Sequence, residues 1–419
     1  VRSLIAQTRS FPFPVRLLMA NQFGINLGFY MLMPYLAGHL SGDLGLAAWT
    51  VGLVLGVRNL SQQGLFLIGG TLADRFGYKS PILAGCLLRT GGFALLGWVD
   101  SLPALVTASA ATGFAGALFN PAVRAYLAAE AGEERRVDAF AAFNVHYQAG
   151  MLLGPLVGLA LLAADFRAVC TAAATVFAAL TLLQARALPR RRGAGEGSGG
   201  RGGVWDQWRR VVGNRSFLLF SAAMTGSYVL AFQVYLALPL AADAALGRQG
   251  AKATSGLFVV SAAVAVAGQL RLTGWAKRRL TPHQALVRGL TAMGTAFLPL
   301  ALVPASVPVA ELGALVVAVT VLAAGSAIVY PFEMDTVVTL SGNTLVATHY
   351  GLYNTVSGLG ITLGNLGCGA LWDFAHARDA PWLVWAVLAG TGGGCAVAVA
   401  ALARTGRLNA AATARPATA

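Results

Sequence analysis

Gly70, Asp74, Arg75, Gly77 and Lys79 stand close together in the run Gly69-Gly70-Thr71-Leu72-Ala73-Asp74-Arg75-Phe76-Gly77-Tyr78-Lys79. Their types suit a mechanical contact. A lone carboxylate such as Asp74 can cap the positive N-terminal end of a facing helix. Gly70 lets a neighbouring helix approach closely, and Gly77 permits a tight turn. Arg75 and Lys79 add charges to the same surface. No cluster of acids and no His/Asp constellation is visible, so the groups that a membrane-embedded enzyme needs are missing from the pattern.

Other residues suit the handling of solutes or protons. Gln22, Asn26 and Tyr30 recur at four-residue spacing, which puts them on one helix face. Arg58 and Gln62 make a second such stripe, and Asn144 and Gln148 a third, with His146 on a different face. Tyr228, Gln233, Tyr235, Tyr353 and Asn354 supply comparable groups in the second half of the chain. Each stripe has two readings: it lines a substrate path, or it holds helices together by hydrogen bonds. Arg58 and Arg89 fall inside apolar stretches with no carboxylate at similar depth. A charge there costs ~2.5–3.5 kcal/mol on insertion scales, so it must find carbonyls, water or an anion. Either at least one of them faces a cavity that favours neutral or anionic amphiphiles, or both are structural. His146 is the one midspan group whose ordinary pKa lies near neutrality. A proton could be carried by His146, or by Glu333 or Asp335 at the end of a span; a purely structural histidine is the other reading.

The elements that must position these groups are membrane helices. Hydrophobic residues make up 57% of the 419 positions and charged residues 11%. Apolar stretches recur at 17–38, 48–70, 81–99, 103–124, 139–163, 168–186, 216–240, 254–272, 284–303, 311–331, 348–371 and 382–402. Each is long enough to cross a hydrocarbon core of about 30 Å as a helix. Buried backbone in lipid must pair within its own segment, which excludes open sheets, and the short alternating segments of a barrel are absent. The net charge of +14 could suggest nucleic acid in a soluble chain, but most of the Lys and Arg fall on alternate connecting segments. That is the positive-inside pattern, and it places both termini in the cytoplasm. The basic N-terminal residues lead into a span without a small-residue cleavage site, read as a retained first helix. The loop after 331 departs from the rule, with Glu333 and Asp335 and no basic residue before the next span. Cys86, Cys170, Cys368 and Cys395 all fall within spans, so neither a disulfide framework nor a metal cluster is expected. No phosphate loop is present, which argues against an ATPase.

The chain divides into residues 1–185, a basic Gly/Ser-rich linker at 186–215, and residues 216–419. The linker reads as a flexible tether ending in a short surface helix anchored by Trp205 and Trp208. The halves repeat at one constant offset: Pro121 with Pro331, Phe143-Asn144 with Tyr353-Asn354, Gly150 with Gly360, and Gly154 with Gly364. A parallel duplication of six spans is the plan in which two bundles rock about a central site.

The segment at 69–79 resembles the major facilitator superfamily signature G-x-L-a-D-r-x-G-r-k, with Tyr78 where a basic residue is usual. Gly150-x-x-x-Gly154-Pro155-x-x-Gly158 resembles the later part of that superfamily's antiporter motif, with Leu159 replacing the last glycine. The order of motifs, including residues 57–64, 118–124, 165–170 and 231–239, is most similar to MdtH-type multidrug resistance proteins of the drug:proton antiporter branch. The resemblance implies an all-α membrane protein of twelve transmembrane helices in two pseudo-symmetric six-helix bundles. It also implies that Asp74 meets the eleventh helix, beginning near Thr348, as a latch for one transport state. Ser109 stands where the superfamily often carries a proton-linked arginine on the fourth helix, which leaves the proton carrier open.

The expectation is therefore a multi-pass transporter of the bacterial cytoplasmic membrane that exports small amphipathic compounds by alternating access, with proton antiport. It is expected to work as a monomer, with a small-molecule substrate, protons and the bilayer as partners, and without cofactor, metal or nucleic acid. Alternatives are the same fold carrying a metabolite, sugar or siderophore, a membrane enzyme, and a transport-dead sensor.

Overall fold

The computed structural model describes residues 2–191, 203–303 and 307–408. Among them every regular element is helical. Twelve long helical segments run in chain order: α1 (Phe13–Gly38), α2 (Ala48–Phe76), α3 (Lys79–Trp98), α4 (Leu102–Ala131), α5 (Arg136–Leu162), α6 (Phe166–Ala187), α7 (Arg215–Leu246), α8 (Gly250–Arg279), α9 (Pro282–Leu302), α10 (Pro308–Ser341), α11 (Val346–His376) and α12 (Trp382–Arg404). Ten are long and apolar enough to cross a membrane. The other two are α1 and α11, which have the length but carry Asn21, Gln22 and Asn26, or Thr348, His349 and Asn354, in place of apolar residues.

Local signals explain several boundaries. Asp165 caps α6 by accepting from the Ala168 amide, and Asn214 caps α7 by accepting from Phe217. Thr281 and Gln284 form a reciprocal capping box at the start of α9, with Pro282 in its first turn. The first half of α7 ends at Phe232, and a 3₁₀ turn at Gln233–Tyr235 precedes its second half. Pro239 lies four residues after Tyr235; its ring clashes with that carbonyl and it has no N–H to donate, so the α pattern opens there.

Helices outrun the apolar stretches that announce them, because hydropathy marks only the part suited to hydrocarbon. α2 continues through Asp74 and ends at Gly77, whose φ of 80° breaks the helix. The expectation of a loop after residue 331 is corrected: α10 runs on to Ser341, and Glu333 and Asp335 are helical, with Glu333 3% exposed. Pro331 sits inside this helix as Pro121 sits inside α4.

Two compact units emerge, one of residues 1–213 with 341–355, the other of 214–340 with 356–419. The first unit thus takes in the start of α11. In the linker region, residues 188–191 follow α6, the helix Val204–Gly213 stands where a surface helix was expected, and 192–202 lie outside the described residues. Trp208 donates to Thr71 Oγ1 at 2.8 Å, fixing that helix to the end of α2, while Trp205 is 78% exposed.

Candidate functional site

The run from Gly69 to Lys79 ends α2 and begins α3, and the first unit brings it against the start of α11. Asp74 accepts three hydrogen bonds there: from the Ala347 amide at 3.2 Å, the Thr348 amide at 2.7 Å and the Thr348 hydroxyl at 2.7 Å. These amides belong to the first turn of α11, which has no intrahelical acceptor for them. The carboxylate therefore meets both unpaired donors and the positive end of the helix. The approach depends on missing side chains. A Cβ on Gly70 would collide with the Ala347 carbonyl oxygen, and one on Gly351 with that of Phe66. Thr355 closes the same crossing by donating to Gln63 O at 3.2 Å.

Arg75 is exposed, and Lys79 donates to Ala185 O at 2.8 Å. Residues after α6 lie across this end of the unit. Tyr78 N donates to Arg191 O, Tyr126 donates to Pro189 O, and Arg191 pairs with Glu130 at 2.7 Å. Burial pushes the Tyr78 hydroxyl pKa above its ordinary value, and Asp74 raises it further. Tyr78, the departure from the basic residue of the resembled pattern, is thus a buried packing group, 2% exposed.

Gly150, Gly154 and Gly158 form the face of α5 that meets α1. Added Cβ atoms would reach Phe23 O at 2.5 Å, Tyr30 Cβ at 2.7 Å and the Met31 carbonyl. Pro155 frees its surroundings from one backbone bond, and its carbonyl accepts from Tyr35 at 2.7 Å.

The polar stripes divide by environment. Gln22 and Asn26 are buried, and Asn26 donates back to Gln22 O at 2.7 Å. Tyr30 and Tyr147 hydroxyls lie 3.4 Å apart. Arg58 is half-buried; it donates to Asn59 Oδ1 at 2.8 Å and Gln62 Oε1 at 3.3 Å, and lies 4.9 Å from the Phe29 ring centre. Arg89 is 6% exposed, with Nε and Nη1 unpartnered among the described residues. Its guanidinium lies over Phe119 at 5.4 Å and Phe177 at 6.0 Å, so aromatic faces stand where a carboxylate would. Phe29, Phe93 and Phe177 connect the two arginines ring to ring.

On α5, Asn144 and Gln148 are half-buried, and Gln148 Oε1 finds no partner among the described residues. His146 Nδ1 lies 2.8 Å from Ala142 O; a carbonyl only accepts, so Nδ1 carries a proton, and in the neutral ring Nε2 holds the lone pair. At the start of α11, Asn354 accepts from Arg124 at 2.8 Å, and Tyr353 is fully buried. In the second unit, Gln233 is fully buried and donates to Val229 O at 2.8 Å and Asn365 Oδ1 at 3.4 Å. Tyr228 is half-buried and Tyr235 exposed, packed against Phe232 and Phe258.

Sequence reasoning gave Arg124 and Arg136 no role, and gave Trp208 an anchoring role without naming Thr71 as its partner. Arg124 and Arg136 reach Asn354 and Asn343, the latter at 3.4 Å. Both look like ordinary topology-setting charges in sequence; nothing in their spacing names an asparagine far along the chain as partner.

The family model described as Major Facilitator Superfamily matches residues 18–365. An uncharacterized MFS-type transporter of Mycobacterium tuberculosis is 56% identical over 400 residues, covering 94% of each chain. Multidrug resistance protein MdtH of Yersinia pestis is 30% identical over 386 residues, 92% of this chain and 93% of that one. Among solved structures, the E. coli fucose:proton symporter FucP superposes with a TM-score of 0.73 at 13% identity, covering 92% of this chain and 98% of that one. The human organic anion transporter MFSD10 gives 0.64 at 16%, with the same coverage. Helices, Asp74 contact and relatives along nearly the whole length converge, and the chain belongs to the major facilitator superfamily of membrane transporters.

Proposed function

We propose that this transporter exports small amphipathic compounds across the bacterial cytoplasmic membrane by alternating access, with protons moving the opposite way. The observation that carries the reading is the Asp74 contact: a carboxylate bound to the first turn of α11 through three hydrogen bonds and backed by Gly70 and Gly351. A polar, charge-assisted contact between helices exposes few apolar atoms when it parts, so it suits a gate that opens repeatedly. Similarity to MdtH supports drug-like cargo. The distribution of Lys and Arg supports cytoplasmic termini and puts the Asp74 gate on that side.

In this reading Gly70, Asp74, Arg75, Gly77 and Lys79 form the gate, and Gly150, Gly154, Pro155 and Gly158 set how α5 rides on α1. In the first unit Tyr30, Arg58, Gln62, Asn144 and Gln148, all at least partly exposed, are the residues that substrate meets, and in the second unit the candidate is exposed Tyr235. Arg58, with amides, a ring and the Tyr30 hydroxyl around it and no carboxylate paired to it among the described residues, favours neutral and anionic amphiphiles over permanent cations. Gln22, Asn26 and Arg89 support the first unit's residues from buried positions, and Gln233 is buried in the second unit. His146 is the preferred proton carrier because Nε2 is free to accept while Nδ1 stays fixed; Glu333 and Asp335 are the other carriers to test. The protein catalyses no covalent chemistry and works as a monomer.

The test is counterflow and proton release in liposomes containing the purified chain and a pH-sensitive dye. A panel of anionic, neutral and cationic amphiphiles is added under an imposed proton gradient. Substrate-dependent proton movement that disappears in His146→Gln, with counterflow retained, supports the coupling. Substrate movement without protons in the native chain rejects antiport and leaves facilitated transport.

A further inference from the structure

The ends of the third and sixth helices of the two halves differ in what covers them. In the first half, residues 188–191 lie over the end of α3 and α6. Leu188 is 1% exposed there, and Arg191 is neutralised by Glu130. In the second half, the corresponding end of α9 and α12 is a cavity of about 370 Å³. His283 and Arg288 from α9 and Arg404 from α12 line it, together with Val287, Ala400 and Ala403. No acid is among the lining residues. Arg288 and Arg404 are both exposed, and they stand within the first and last turns of their helices or next to them.

We propose that this cavity binds the headgroup of an anionic phospholipid of the cytoplasmic leaflet. Two guanidiniums from different helices, with a histidine beside them, match a phosphodiester in charge and in the fork geometry of their donors. The start of α9, already closed by its capping box, adds the positive end of a helix dipole. Val287, Ala400 and Ala403 give the lower wall an apolar surface. Val397, one turn further along α12, is 70% exposed and continues that surface toward the hydrocarbon. Basic mouth above and apolar wall below is the polarity of a phospholipid at the interface, and it is the cytoplasmic leaflet that holds anionic lipid against such sites. The assignment is independent of what the transporter carries. It explains why Arg288, near the start of an apolar stretch, is tolerated: it stands close enough to the end of α9 for a long side chain to reach the headgroup level.

The experiment is thermal unfolding of the full chain in neutral detergent, titrated with phosphatidylglycerol, phosphatidylcholine or glycerol phosphate. Phosphatidylglycerol is expected to raise the melting temperature saturably, while phosphatidylcholine and glycerol phosphate do not. The double variant Arg288→Gln/Arg404→Gln should melt close to the native chain without lipid and need about tenfold more phosphatidylglycerol for the same shift. Arg288→Lys/Arg404→Lys, which keeps the charge, should fall between and guards against a folding defect in the glutamine pair. Equal responses to phosphatidylglycerol and phosphatidylcholine, or an unchanged response in the double glutamine variant, would overturn the proposal. Stabilisation by glycerol phosphate alone would replace the lipid with a soluble phosphate and overturn it as well.

Discussion

The glycines that reveal the internal repeat meet different neighbours in the two units. On α5, a Cβ at Gly150 would run into the Phe23 carbonyl oxygen of α1, and one at Gly154 would meet Tyr30 Cβ at 2.7 Å and the Leu27 carbonyl oxygen at 2.9 Å. On α11, the repeat partners Gly360 and Gly364 face the side chains of Thr225 and Val229 on α7. A second contrast lies along α2 and α8, which bond to α11 and to α10 respectively. Asp74 caps α11 with a charge, whereas Gln269 and Thr273 reach the Ala327 carbonyl, at 2.6 and 3.4 Å, as neutral donors. Duplication therefore preserved where helices come close but not what holds them. Backbone contacts in the first unit leave little room to adjust, while side-chain contacts in the second can repack. Charge follows the same divide: Arg58 and Arg89 are embedded in the first unit, and Glu333 in the second.

The sharpest way to break this comparison is at the charged cap. Asp74→Asn keeps one acceptor oxygen but removes the charge and puts an NH₂ where the other oxygen accepted. Hydrogen bonds to charged groups contribute ~1.5–3 kcal/mol each, so transport in liposomes should fall at least about tenfold. Gln269→Ala, in contrast, should lower the melting temperature while leaving more than about half of the transport rate, because it removes only ~1 kcal/mol of neutral hydrogen bonding to a mid-helix carbonyl. Equal losses of transport in the two variants would remove the distinction between a gate contact and a static one.

Next in size is Gly150→Ala. With a backbone oxygen 2.5 Å from the new Cβ, α1 and α5 must separate, at a cost of about 1–3 kcal/mol. Thermal unfolding measures this directly. Gly360→Ala should cost less, about 1 kcal/mol or below, since Thr225 can change rotamer. The pair sharpens the comparison further if the order holds, and a larger loss for Gly360→Ala would reverse it.

The smallest effect expected is at Arg89. Replacing this unpaired buried cation by Met keeps volume and removes a charge without a carboxylate partner, so stability should stay within about 1 kcal/mol or rise. Arg58→Met should instead shift the ratio of anionic to cationic substrate flux, measured by counterflow, without changing the melting temperature by more than a few degrees.

Much of the fold is legible in the sequence because lipid imposes a local rule: each spanning segment must pair its own backbone, so length and hydropathy mark helices one at a time. That rule is weak where chain and solvent compete. Val337 and Val338 extend α10 past residue 331, and the apolar count alone did not say whether Glu333 ends a span or continues a helix. The candidate site is legible by residue type. Asp74 reads as a cap and Gly70 as a point of close approach because few other chemistries suit those types in that order. Its partners are not. Arg124 with Asn354, Trp208 with Thr71 and Arg191 with Tyr78 join residues far apart in the chain, and no spacing encodes them.

Residue types and their order establish a multi-pass helical membrane protein built by duplication, and they mark the short segments that carry charge into an apolar chain. These follow from composition and period, which each segment expresses alone. Tertiary structure alone decided that α11 begins against Asp74, that Arg89 is closed in by rings while Arg58 keeps access, and that the end of α9 and α12 stays open where that of α3 and α6 is covered. Those outcomes depend on which surfaces meet, a property of pairs of segments that no single segment contains.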